Sequence, residues 1–178
     1  VPNTYQLIAS VTVGAGGAAN IDFTSIPGIY TDLIVKFSLR STASDSGGSN
    51  PSDARLSFNN STSGYSERMI YTDNATSVAS AATSGSGFFN WAGTQNSNSN
   101  TAGTFSNCEI YISNYAGSTN KSVSSDAIRE NNATGGIQMR LFAGLWSNTS
   151  VITSVKLAPD YGNFAQHSTA TLYGIKKD

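Results

Sequence analysis

The chain has one cysteine, one histidine and four prolines in 178 residues, and only 12% of its residues are charged. A lone Cys108 cannot close an internal disulfide, which excludes the covalent staples of small secreted domains. With His167 as the only imidazole, too few nitrogen and sulfur ligands remain for a structural zinc centre. Charge stands at about half the usual share of roughly 25%. The net charge is −1 and Lys and Arg are scattered singly, so no basic stripe exists to neutralise a row of phosphates, and nucleic acid is not an expected partner. Apolar runs such as "DLIV" and "MIY" fall far short of the roughly 20 residues a membrane helix needs, so no membrane partner is expected either. The opening "VPNTYQLIAS" has no basic segment followed by an apolar one, and no signal peptide is read there.

What the chain does have is 38% hydrophobic residues and a surface solvated by Ser, Thr, Asn and Gly. Residues 1–178 fit one domain, and a domain of this size buries roughly two thirds of its unfolded surface. The dominant period is two. Leu33, Val35, Phe37 and Leu39 alternate with Ile34, Lys36, Ser38 and Arg40, as in a strand with one face inward. Comparable stretches fall at 5–13, 19–26, 54–59, 67–72, 87–93, 104–113, 122–131, 137–146, 150–158 and 169–177. Clusters such as "GAGG", "NNSTSG" and "NYAGSTN" punctuate them with turn residues. No apolar 3.6-residue period runs for three turns, and at most one turn of helix is read near 74–83. The expectation is an all-β, two-sheet antiparallel β-sandwich, jelly-roll-like, of about ten strands.

Chemistry is sparse. No Gly-x-Ser-x-Gly elbow accompanies His167, and the acidic residues are solitary in sequence, so no catalytic residue and no cofactor is expected. A hydrolase assembled from acids on separate strands ranks below the binding readings. Glu109 and Tyr111 are placed on the wet face, opposite Cys108, Ile110 and Ile112, and Cys108 reads as a small buried hydrophobe. Asp45 and Asp53 bracket a Gly-rich loop (45–53) that lacks the Asp/Asn spacing and closing Glu of a Ca²⁺ loop, and its plain reading is a flexible connection. "GAGGAA" precedes a strand and is a turn, because a phosphate cradle leads into a helix. In "GFFNWAG", Phe89 and Trp91 should share one inward face, with Phe88 and Asn90 on the other. The polar "TQNSNSNTAG" behind it reads as an exposed loop. Trp91, Asn96, Asn98 and Asn100 are therefore the candidate ligand-binding residues, an aromatic ring beside amides that can both donate and accept hydrogen bonds.

The segments "TYQLIAS", "SIPGIYTDLIVKFSLRST", "LSFNNSTSGYSER", "IRENNATGG", "AGLWSNTSVITSVKLAP" and "LYGIKK" together resemble small β-sandwich virion structural proteins of tailed bacteriophages, of the kind found with marine and cyanobacterial hosts. The resemblance implies a non-enzymatic capsid decoration or cement subunit on the particle surface, assembled in the host cytoplasm. Its implied partners are the major capsid protein and copies of itself, as a homotrimer at three-fold positions of the shell. The alternative it implies is a receptor- or carbohydrate-binding module of a tail fibre. The group carries no motif that assigns site residues.

Overall fold

The computed structural model describes residues 4–44, 53–73, 77–133 and 135–176. Asp45 and most of the 45–53 loop lie outside the described residues. Twelve strands form among the rest: β1 (Tyr5–Thr12), β2 (Ile21–Phe23), β3 (Asp32–Ser38), β4 (Asp53–Phe58), β5 (Tyr65–Asp73), β6 (Ser77–Ser86), β7 (Phe89–Thr94), β8 (Asn107–Ile112), β9 (Lys121–Arg129), β10 (Gln138–Trp146), β11 (Val155–Pro159) and β12 (Thr169–Ile175). The all-β, two-sheet expectation holds. One sheet runs β1-β12-β3-β8-β9-β10-β5-β6 and the other β2-β11-β4-β7, with every neighbouring pair antiparallel.

The order has a simple logic. With β5–β6 and β9–β10 set aside, eight strands remain, and the first pairs the eighth (β1–β12), the second the seventh (β2–β11), the third the sixth (β3–β8) and the fourth the fifth (β4–β7). That is one long hairpin rolled over itself, closed by β12–β3 and β11–β4, the arrangement of a jelly roll. The two remaining hairpins are insertions. They continue the larger sheet outward from β8, β9–β10 first and then β5–β6.

The core lies between the sheets. Leu33, Val35, Phe37 and Leu39 are buried in it, as their alternation predicts. Five aromatics close its inserted end: Phe89 stands edge-on to Phe58 (5.9 Å between centroids), Tyr65 (4.9 Å) and Phe142 (5.5 Å), and Trp146 lies against Phe58 and Tyr65. Phe89 can sit there because β10 offers a bare backbone beneath it. A Cβ on Gly144 would come within 2.6 Å of the Phe89 ring.

Two local expectations are corrected. The stretch read as a possible turn of helix near 74–83 contributes to strand β6, paired with β5 from Ser66/Ser84 to Asp73/Ser77. Its Ala and Ser residues carry little strand preference of their own, so the decision is made by pairing with β5. In β7, the two-residue period breaks: Ala54 pairs Gly93 but Leu56 pairs Phe89, so β7 carries extra residues around Asn90–Ala92. Phe89 is buried in the core while Trp91 is only partly covered and packs against it, and Ala92 takes an inward place instead.

Candidate interaction face

The inserted strands build an outer face whose composition differs from the rest of the sheet. In β10, Gln138, Arg140, Phe142, Gly144 and Trp146 point inward, while Met139, Leu141, Ala143 and Leu145 point out. Strand register then lines up cross-strand rows. Met139 lies beside Ile128 of β9, and Leu141 between Asp126 of β9 and Ile70 of β5. Ile70 in turn faces Ser80 of β6, and Val78 of β6 faces Thr72 of β5. Ile128, Ile70, Met139, Leu141 and Val78 are exposed, from 41% for Ile128 to 72% for Val78. They surround an open trough of about 630 Å³, lined by Ile70, Leu141, Ala82 and Ala143 with Arg68 at its side, and a second of about 340 Å³ reaching Val78, Ile128 and Met139. Contiguous apolar surface, unlike singly scattered exposed residues, is the kind that proteins use to meet partners, and it makes this face the candidate.

The other half of the same face is dressed in polar groups that satisfy one another. Ser10 and Thr171 hydroxyls bond at 3.0 Å, Lys36 pairs Glu109 at 2.7 Å, and the Tyr111 hydroxyl donates to Asp32 at 2.7 Å. Asp32 holds that hydroxyl proton and, with burial, pushes the Tyr111 pKa up to about 12. Glu109 and Tyr111 thus sit on the solvent side as their position in the strand predicts. The jelly-roll half also exposes Tyr5 and Leu7 of β1, so what sets the inserted half apart is the run of apolar rows across β9, β10, β5 and β6. Arg68 and Asp126 flank the apolar half on opposite sides, and neither has an ion-pair partner among the described residues.

Beneath this face, between the sheets, lies a layer of polar side chains. Glu67 of β5 is buried and spans the irregular turn of β7: one carboxylate oxygen accepts from the Asn90 amide nitrogen (3.0 Å) and side chain (2.7 Å), the other from the Trp91 amide (3.1 Å). Burial pushes its pKa upward, against those three hydrogen bonds. The Arg140 guanidinium donates to the Trp91 and Gly93 carbonyls (3.1 and 3.2 Å), to Gln138 (2.6 Å) and to Asp53 (2.8 Å). Asp160 pairs Arg55, whose other side covers the Phe88 ring at 4.5 Å. Glu67, Asp53 and Asp160 are thus each engaged in fastening a strand. Among the described residues no group of three or more His, Cys, Asp or Glu gathers as metal ligands would.

The candidate ligand residues are dispersed by this arrangement. The Asn-rich segment is exposed only in part, because its first half continues β7 alongside residues 39–43: the Ser41 amide donates to the Asn96 carbonyl (2.7 Å) and the Asn98 amide to the Ala43 carbonyl (2.7 Å). Asn96 is fully buried, Asn98 is exposed, and Asn100 is half-buried with its side-chain oxygen accepting from the Ser97 amide (2.7 Å). Arg40 gathers the loop by donating to the carbonyls of Thr101 (2.9 Å), Thr104 (3.0 Å) and Asn100 (3.0 Å). Trp91 lies earlier on the same strand, in β7, partly covered and packed against the core. Cys108 is buried, accounting for its raised pKa of about 11, and His167 occupies an exposed turn at φ 72°. No known protein family, no characterised protein and no solved structure matches this chain.

The apolar face could have been suspected from β10 alone. In "QMRLFAGLW" both alternating sets contain large apolar residues, so one set must face outward whichever way the strand is turned.

Proposed function

We propose that this chain is a non-enzymatic structural subunit of a virus particle, a decoration or cement protein that lays the outer face of β9-β10-β5-β6 on the shell protein of the head. The exposed apolar rows around Leu141 and Ile70 carry the reading. Fully burying a side chain of this size contributes roughly 1.5–3 kcal/mol, so five such residues supply the core of a stable interface, with Arg68 and Asp126 at its rim. Decoration needs broad contact and no concentrated chemistry, and the polar clusters of this molecule are occupied in holding strands together. The choice of a virion shell protein as partner rests on the resemblance of segments along the chain to phage virion proteins.

Cryo-electron microscopy of purified particles tests the proposal. Density for the sandwich on the head shell, with Leu141 and Ile70 turned toward it, is the expected result. Density confined to the tail, or a shell-bound sandwich with this face turned to solvent, would refute it. A tail-fibre receptor module would instead show adsorption to host cells that depends on Trp91 and Asn98.

A further inference from the structure

The two sheets have four edges, and three of them are blunted. β2 is three residues long. β7 is irregular around Asn90–Ala92 and tied down by Glu67. β1 slips register between Leu7 and Ala9. Such shortness and irregularity are how sheet proteins keep edges from pairing with other chains. The fourth edge, β6, is irregular only at its far end, where Ser86 pairs Tyr65 and Ser84 pairs Ser66. It is ten residues long, its register with β5 is continuous from Ser84 to Ser77, and Ser77–Ser86 contains no charged residue and no proline. One side of its backbone ladder has no neighbour among the described strands.

We propose that β6 is a self-pairing edge: two copies of this chain join β6 to β6 antiparallel about a two-fold axis, making one continuous sixteen-stranded sheet from two eight-stranded ones. The strand's own sequence favours a second copy as occupant. Antiparallel pairing centred on Ala81 sets Val78 against the partner's Ser84, and Ser80 against the partner's Ala82, on the outer face. On the inner face it sets Ala79 against the partner's Thr83. Small side chains meet small or β-branched ones in every pair, and no like charges oppose each other. A head-to-tail ring would need β6 to add to β1, whose register slip spoils the matching ladder. The two-fold axis runs perpendicular to the sheet, so both apolar outer faces emerge on the same side and Val78 of each copy borders the seam. A dimer therefore presents one doubled apolar surface, which fits the proposed docking face. The pairing itself stands on the edge alone and is tested without the shell.

Size-exclusion chromatography with light scattering on the purified chain tests it, alongside S80K/A82K, S80E/A82E and an equimolar mixture of the two. Ser80 and Ala82 are exposed, so the substitutions leave the sandwich intact, which circular dichroism checks. In the proposed register they place Lys against Lys, or Glu against Glu, across the seam. The wild type is expected at twice the monomer mass, each variant at the monomer mass, and the mixture back at twice. Backbone amides of β6 should exchange with deuterium more slowly in the wild type than in either variant. A wild-type monomer at every soluble concentration, a trimer, variants that remain dimeric, or a mixture that stays monomeric would each overturn the proposal. None of these outcomes bears on whether the outer face meets the shell, which particle imaging decides separately.

Discussion

Replacing Phe89 by alanine removes the ring at the centre of the aromatic cluster, and its cost follows from what the ring touches. Phe89 is fully buried and stands edge-on to three other rings. Phe→Ala in a core costs about 3–5 kcal/mol, the upper part applying where neighbours cannot collapse into the space. For a domain of this size that lowers Tm by roughly 6–20 °C. The more discriminating test adds Gly144→Ala. In the wild type the new methyl meets the Phe89 ring at 2.6 Å and the Phe142 ring at 2.8 Å, an overpacking worth about 1–3 kcal/mol. With Phe89 already shortened, the methyl and the displaced Phe142 ring both move into the vacated volume. Chemical denaturation of the wild type, the two single variants and the double variant should therefore show the double variant less destabilised than the sum, by about 1 kcal/mol or more. A Phe89→Ala cost below about 1 kcal/mol would mean that the ring is not the keystone of this end of the core. Additivity within about 0.5 kcal/mol would mean that it does not rest on Gly144.

Other consequences are checked more briefly. Glu67→Gln keeps one acceptor but leaves the other position of the carboxylate unable to serve the Trp91 amide, at about 1–3 kcal/mol near neutral pH. Because burial raises the folded-state pKa of Glu67 above its unfolded value, the wild type gains stability as pH falls through that raised value and loses it as pH rises. Unfolding curves at a series of pH values should thus show the gap between wild type and Glu67→Gln widening toward acid; a gap independent of pH would contradict the burial argument. Arg40→Met removes the donors that gather the Asn-rich loop, and hydrogen exchange at residues 97–104 should accelerate with a stability loss of about 1.5–3 kcal/mol. Arg40→Lys should recover little of it, since an ammonium cannot fork across the same carbonyls; full recovery would deny the guanidinium its role. Cys108, buried with its pKa pushed up to about 11, should resist alkylation at pH 8 in the folded protein and react at once in denaturant, and rapid labelling of the native chain would place the thiol elsewhere.

Strands such as β3 were legible because one face of a sheet is dry and the other wet, and Leu33, Val35 and Phe37 record that difference at every second position. β6 was not legible, since Ser and Ala suit either surface and what makes the stretch a strand is its neighbour β5. The break in β7 depends on the Glu67 carboxylate arriving from the opposite sheet, and the burial of Asn96 on a ladder with residues near Leu39; both partners are too distant in sequence for local pattern to reveal them. β10 is the instructive case. Its inward set includes Arg140 and Gln138 while its outward set is Met139, Leu141, Ala143 and Leu145, the reverse of a solvated strand. Arg140 can be inside because two β7 carbonyls, Asp53 and Gln138 together meet its two terminal nitrogens with four acceptors. Leu141 and its neighbours have no such internal account, since nothing in the jelly roll requires apolar residues on that outer face. The inserted hairpins therefore do two things with one sequence: their inner side completes the core around Phe89, and their outer side and bare edge carry the exposed apolar rows and the unpaired ladder on which the two proposed contacts rest.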